Sequence, residues 1–321
     1  MDIEFHYYIT CILARKSGLS GDKAALIAHS SQYTDDNTQQ YCINFRKENQ
    51  YLSIASQTMD ITKPNEKRKF IYPVFHFFPG DPHSAIAARR DGLTNQFNTT
   101  PDSRNVRQMF EDALGSKNLY RIGIATHVYA DSWAHQNFCG SMDDFNAIES
   151  LEGALIPNIG HADAGHNPDK VCHQWEDDRL VPENCAINNN QRFLEAAKNI
   201  YIAFRKTGDP SVGEHDLSAG WDELKGPLSD AMSKTALMGD VFDANQKARI
   251  KAYRQICPDI PEYDKDAWRD AAFDKDPKEL DYFDRYWGRS DFWSSHWYLF
   301  QEAAKKHHEV SMEILAPLYS T

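Results

Sequence analysis

The chain has 321 residues, and 35 basic against 47 acidic side chains leave a formal net charge of −12. Hydrophobic residues make up 41% and aromatic residues 12%, enough for a sizeable core, which excludes a wholly disordered chain. No apolar run approaches the roughly 18 residues of a membrane span, and the acidic balance speaks against a stable nucleic-acid complex held by the overall field.

The opening segment Met1-Asp2-Ile3-Glu4-Phe5-His6 has neither a basic n-region nor an apolar h-region, so the expected location is cytoplasmic. A first helix is predicted from Ile3 to Arg15 by the spacing of Phe5, Ile9, Ile12 and Leu13, and a second, capped by Asp22, runs to about Asp35. Ser53 to Thr58 and Phe70 to Phe78, set around Pro64 and Pro79, carry β-branched and aromatic residues. They predict a small β element near residues 53–78. Arg104 to Ala113 and Asn118 to His135 have helical spacing, the second apolar enough to be central and buried. Pro157 to Asn190 reads as a long loop, and the asparagines at its end cap a helix from about Arg192 to Lys206. Helices over Asp240 to Ile256 and Asp291 to Leu315 follow, separated by an acidic linker from Pro258 to Asp281. The fold class is therefore mostly α. Residues 1–190 are expected to form a metal-binding helical core, and residues 191–321 a helical extension packed on it. The six cysteines contain no Cys-x-x-Cys pair, so reduced thiols are expected.

Nine of the 13 histidines lie in the first 173 residues, which puts the expected chemistry there. In Gly123-Ile-Ala-Thr-His127-Val-Tyr-Ala-Asp131-Ser-Trp-Ala-His135, a helical advance of about 100° per residue sets His127, Asp131 and His135 on one face. Imidazole and carboxylate donors at that spacing suit zinc or another borderline divalent ion. Apolar neighbours argue against a solvated stripe, because buried polar groups need partners. His6 taken alone reads as a core histidine. His29, Asp35 and Asp36 close the second helix, where acids oppose the macrodipole unless a cation compensates. His76 lies between Phe75 and Phe77 and is either a ligand or hydrogen-bonded in a core. His161-Ala-Asp163-Ala-Gly-His166-Asn-Pro-Asp169 packs two imidazoles and two carboxylates into one loop. His173, Glu176 and Asp177 beyond it read as surface. Glu214-His215-Asp216 reads as a loop, and Lys305 to His308 as a solvated helix end.

An early histidine, an Asp closing a helix, Phe-His-Phe, a helical His-x-x-x-Asp and a later His-rich acidic loop come in an order that resembles the zinc-dependent phospholipase C and single-strand nuclease superfamily. These are mostly helical phosphoesterases with three clustered zinc ions, and the resemblance covers residues 1 to about 170. It implies a cluster of two or three zinc ions. Asp35 would bridge and orient the nucleophilic water, His76 and His127 would join it, and Asp131 would reach another ion. His135 with His161 and His166, or with Asp163 or Asp169, would complete the remaining site. His29 and Asp36 stay as ligands or as supports of the ligands. The resemblance also implies zinc ligation by the terminal amino group, here Met1, with His6 five residues on; Asp2 disfavours removal of that methionine. The expected activity is hydrolysis of a small phosphoester by a metal-activated water. The rival readings are a non-catalytic metal-binding protein and a structural or interaction domain with core histidines.

Overall fold

A computed structural model describes residues 1–45, 49–58, 70–148, 158–235, 242–275 and 285–320. Pro64, Pro157, Asp240 and residues 276–281 of the predicted linker lie outside them. The molecule is a mostly α single domain with a few short strands. A π-helical turn, Glu4–Ile9, runs into α1 (Thr10–Lys16), so the predicted first helix is present but opens with wider turns. The next helix, α2 (Gly21–Asp36), starts after Ser20. Asp22 sits inside its first turn, complementing the dipole, and is not the cap. Two long helices follow, α4 (Arg104–Gly115) and α5 (Leu119–Ala134). The Asn118 side chain caps α5 by accepting from the N–H groups of Tyr120 and Arg121.

The predicted β element is corrected. Strands β1 (Cys42–Asn44) and β2 (Gln50–Leu52) lie before it, whereas Ile71–Phe75 forms the short helix α3. Pro73 falls in the first turn of α3, where its missing N–H leaves no broken bond. Ile71, Val74 and Phe75 are buried, a spacing of three and four residues. An apolar run this short fits either period. β3 (Gln174–Glu176) pairs with β4 (Ala186–Asn188) inside the long predicted loop. There Asp177 is buried against Arg179, which corrects its surface assignment.

Asn188 caps α6 (Asn189–Gly208). α7 (Glu214–Met232) has no counterpart in the sequence reading and continues past Pro227; its first turn holds Glu214 to Asp216, which is helix and not loop. α8 spans Phe242–Ile256. A short α9 (Ala267–Ala272) and strand β5 (Phe273–Lys275) occupy the predicted linker, and β6 (Tyr286–Gly288) completes a four-stranded sheet in the order β2-β1-β6-β5. α10 (His296–Leu315) starts at Ser295, whose hydroxyl accepts from Tyr298 N–H. His307 lies mid-helix and fully buried against Val74 O. Burial pushes its pKa down to about 3, so it is a neutral core histidine and not part of a solvated end. The main apolar cluster joins Phe5, Ile12, Ile27 and Val128 to Phe193, Leu228 and Leu315. All six cysteines are unpaired, and among the described residues no helix is long and apolar enough to cross a membrane.

α2 and α5 cross closely because α5 carries Gly123. A Cβ there would stand 2.4 Å from Ile27 O and 2.4 Å from Ser30 Cβ. These two helices carry Asp35, His127 and Asp131, so the crossing sets the distance between them. Gly123→Ala is expected to cost about 1–3 kcal/mol through overpacking, read as a lower urea midpoint; an unchanged midpoint would show that the crossing tolerates a methyl group.

Candidate metal centre

Five imidazoles and three carboxylates converge from separate elements. His6 comes from the π-helical turn, Asp35 from the last turn of α2, and His76 from the C-cap of α3. His127 and Asp131 are one turn apart on α5, with His135 at its C-cap donating its N–H to Asp131 O. His161 and Asp169 lie on the loop after residue 158. That loop sits directly on Phe77, whose ring a Cβ at Gly160 (φ +53°) would strike at 2.5 Å.

Asp131 is at the centre. Its Oδ1 lies 2.5 Å from the Met1 amino nitrogen and 3.2 Å from His6 Nε2. Its Oδ2 lies 3.1 Å from His127 Nε2, 3.3 Å from His76 Nδ1 and 3.6 Å from His135 Nδ1. Asp35 Oδ1 is 3.7 Å from both His76 Nδ1 and His127 Nε2. Asp169 joins the other side, with Oδ1 3.0 Å from His135 Nε2 and 3.2 Å from the Met1 amino group, and Oδ2 3.2 Å from His161 Nε2. Three sets have donor atoms close enough to share an ion: His6, His127 and Asp131; Asp35, His76 and His127; and His135, His161 and Asp169. The first two share His127, whose single outward nitrogen has one lone pair, so they are not independent. The third is separate.

Hydrogen bonding tests whether a cation fits. A carbonyl oxygen only accepts, so His76 Nε2 donates to Ser56 O (2.9 Å), His135 Nδ1 to His76 O (2.9 Å) and His161 Nδ1 to Gly165 O (2.8 Å). The second nitrogen of each ring faces a carboxylate, an arrangement into which a cation would fit. Backbone carbonyls in this role are the usual outer support of metal-binding histidines. Both ring nitrogens of His6 are buried without a hydrogen-bond partner, as is His127 Nδ1. The donor set, imidazole nitrogen with carboxylate oxygen, suits a borderline divalent ion such as zinc. These groups could hold metal.

Charge follows the same geometry. Burial would raise Asp131, but His135, the amino group, His127 and His6 hold it well below the ordinary carboxylate range. Asp169 is likewise lowered against its burial by His161, the amino group and His135. Burial raises Asp35 and lowers His6 and His161. Burial alone would lower the Met1 amino group, but Asp131, Asp169 and Asp35 push it up to about 11. Met1, Asp35, His76, Asp131, His135, His161 and Asp169 open on a cavity of 360 Å³ lined also by Gln57, Tyr72, Phe77 and Ile159, with His6 and His127 behind them.

Several expected residues lie elsewhere. His29 stacks on Trp268 at 3.8 Å, its pKa lowered by burial to about 4. Asp36 accepts from Tyr263 Oη at 2.6 Å. Asp163 accepts from Ile148 N–H at 2.7 Å and fixes the loop. His166 is exposed at the cavity edge, outside the three sets. His215 is 94% exposed and belongs to none of the three sets. Sequence reasoning missed the carbonyls of Ser56, His76 and Gly165, because no side chain announces them, and Phe77, which stacks on His135 at 4.5 Å.

Comparison with curated proteins and with solved structures gives no match. One family model matches residues 1–315, and the chain accordingly belongs to the family of unknown function DUF6765.

Proposed function

We propose that this chain is a metal-dependent hydrolase, with zinc as the ion, that cleaves a small phosphoester through a metal-activated water. The observation that carries the reading is the set of three histidines, each tied to a backbone carbonyl on one side and facing a carboxylate on the other. The resemblance to the zinc phospholipase C and nuclease superfamily supports the same reading. Bound ions would lower the pKa of a water and offset charge on a phosphoryl group. His6, His76, His127 and Asp131 would hold one side of the centre, and His135, His161, Asp169 and the Met1 amino group the other. Asp35, with 27% of its side chain exposed, is the most open of the three carboxylates. Its role is to accept a hydrogen bond from the attacking water and orient it. No lysine or arginine is among the described residues lining the cavity, and its volume limits the substrate to a small molecule or the end of a larger one.

The test is elemental mass spectrometry on a chain that starts at Met1, followed by assays with p-nitrophenyl phosphate and bis(p-nitrophenyl) phosphate. Two or three zinc equivalents with turnover, lost in Asp35→Asn, are expected. Zinc without turnover would favour a binding protein, and metal-free, fully folded protein would return the histidines to the core. An uncleaved extension before Met1 is expected to remove one ion, since the amino nitrogen is enclosed between Asp131 and Asp169; full zinc content in such a chain would exclude the amino group as a ligand.

A further inference from the structure

His76, His135 and His161 are each oriented by a backbone carbonyl, but His6 is not: neither of its ring nitrogens has a hydrogen-bond partner. Its ring stacks on His127, with centroids 3.8 Å apart, meets Phe5 edge-on, and has Nε2 3.2 Å from Asp131 Oδ1 without a hydrogen bond. The direction of the imidazole therefore depends on where the backbone of the π-helical turn is held. His6 N–H donates to Asp2 O at 3.1 Å, and Glu4 N–H to Asp2 Oδ1 at 3.0 Å, so this first turn moves as a unit. Single π-turns inside helices occur often at functional sites.

The turn is gripped from the far part of the chain. Glu4 is fully buried two residues before His6, and Arg249 of α8 binds it through two parallel bonds, Nε to Oε2 and Nη2 to Oε1, both 2.8 Å. Tyr253 Oη, one turn further on α8, donates to the same carboxylate at 3.1 Å. A planar guanidinium on a carboxylate fixes angle as well as distance, which a lysine does not. A buried ion pair is weak evidence for stability, since apolar groups of similar volume often serve as well. Its contribution is better sought in geometry.

We propose that Arg249, acting through Glu4, is a positioning residue for the metal centre that sets the direction of the His6 imidazole toward Asp131. This rests on the metal-binding reading above. It also gives α8 a role in the site without any residue of α8 touching an ion.

The experiment compares zinc affinity, by competition with a chromophoric chelator, in the wild-type chain, in Glu4→Leu/Arg249→Met and in Arg249→Lys, with urea unfolding of each metal-free protein alongside. The double replacement removes both charges and keeps an apolar contact, so it is expected to stay folded. It is expected to bind the ion at His6 about 10–100-fold more weakly, the usual effect of losing an outer support, while the ion at His135, His161 and Asp169, which takes only the Met1 amino group from this turn, is weakened less. Arg249→Lys, which keeps the charge and loses the fork, is expected to fall between, and it alone decides the matter if the double variant does not fold. Wild-type affinity for both ions in a folded variant would overturn the positioning role and leave the metal reading standing. Equal weakening of both ions with lowered stability would mark a structural role and overturn it too. A wild-type chain that binds no zinc would overturn both.

Discussion

An Asp131→Asn chain is expected to carry at most one zinc equivalent and to be markedly less stable without metal. The one carboxylate faces Met1 and His6 with Oδ1, and His76 and His127 with Oδ2, and it is 1% exposed. Asparagine keeps its shape but removes the charge, so the buried amino group of Met1 loses its nearest counter-charge. Removing one partner of a buried pair costs about 3–5 kcal/mol, which urea unfolding of the metal-free variant would register. Asp163→Asn is the matched control. That carboxylate accepts from Ile148 N–H and lies outside the ligand sets, so zinc content should hold. Full zinc occupancy in Asp131→Asn would remove Asp131 from the centre and with it the arrangement described above.

What the sequence made legible was regular. The His127, Asp131 and His135 stripe could be read because α5 has one period and its neighbours are apolar. The direction of His135 could not: it sits at the C-cap, with φ −88° and ψ 16°, where the helical period no longer applies, and its ring is aimed by His76 O and Phe77. Asp163, His166 and Asp169 looked equivalent in the sequence. The loop separates them by tertiary contact, sending Asp163 to a backbone N–H, His166 to solvent and Asp169 to the Met1 amino group, His135 and His161. The acidic pair at the end of α2 divides in the same way, Asp35 turning to the centre and Asp36 to Tyr263, more than 200 residues away. Phe70 to Phe78 was misread because an apolar run that short fits a strand or a helix, and Ile71–Phe75 is helical. Beyond Glu214 to Asp216 the α7 segment carried no reading; in the structure Gly220 packs closely on Tyr201, with Oη 2.3 Å from where a Cβ would stand.

Stripping metal from the wild-type chain with a chelator is expected to lower its melting temperature by several degrees, and returning zinc to restore it. Three carboxylates and five imidazoles are packed around one small cavity, and in the metal-free chain the Met1 ammonium group lies between Asp131 and Asp169. An ion that binds the folded chain alone stabilises it by RT ln(1 + [L]/Kd), about 4.1 kcal/mol per site at a thousandfold excess over Kd. The midpoint should therefore rise with the logarithm of free zinc, and magnesium, which prefers oxygen donors and keeps its waters, should restore little of it. Catalysis requires in addition a coordination position that the protein leaves free. Inorganic phosphate should then raise the midpoint of the zinc-loaded chain and leave that of the stripped chain unchanged. A midpoint indifferent to chelator would mean that the imidazoles are held by protons and neighbours alone, and no argument for hydrolysis would survive it; a zinc-dependent midpoint indifferent to phosphate would point instead to a centre closed by protein ligands.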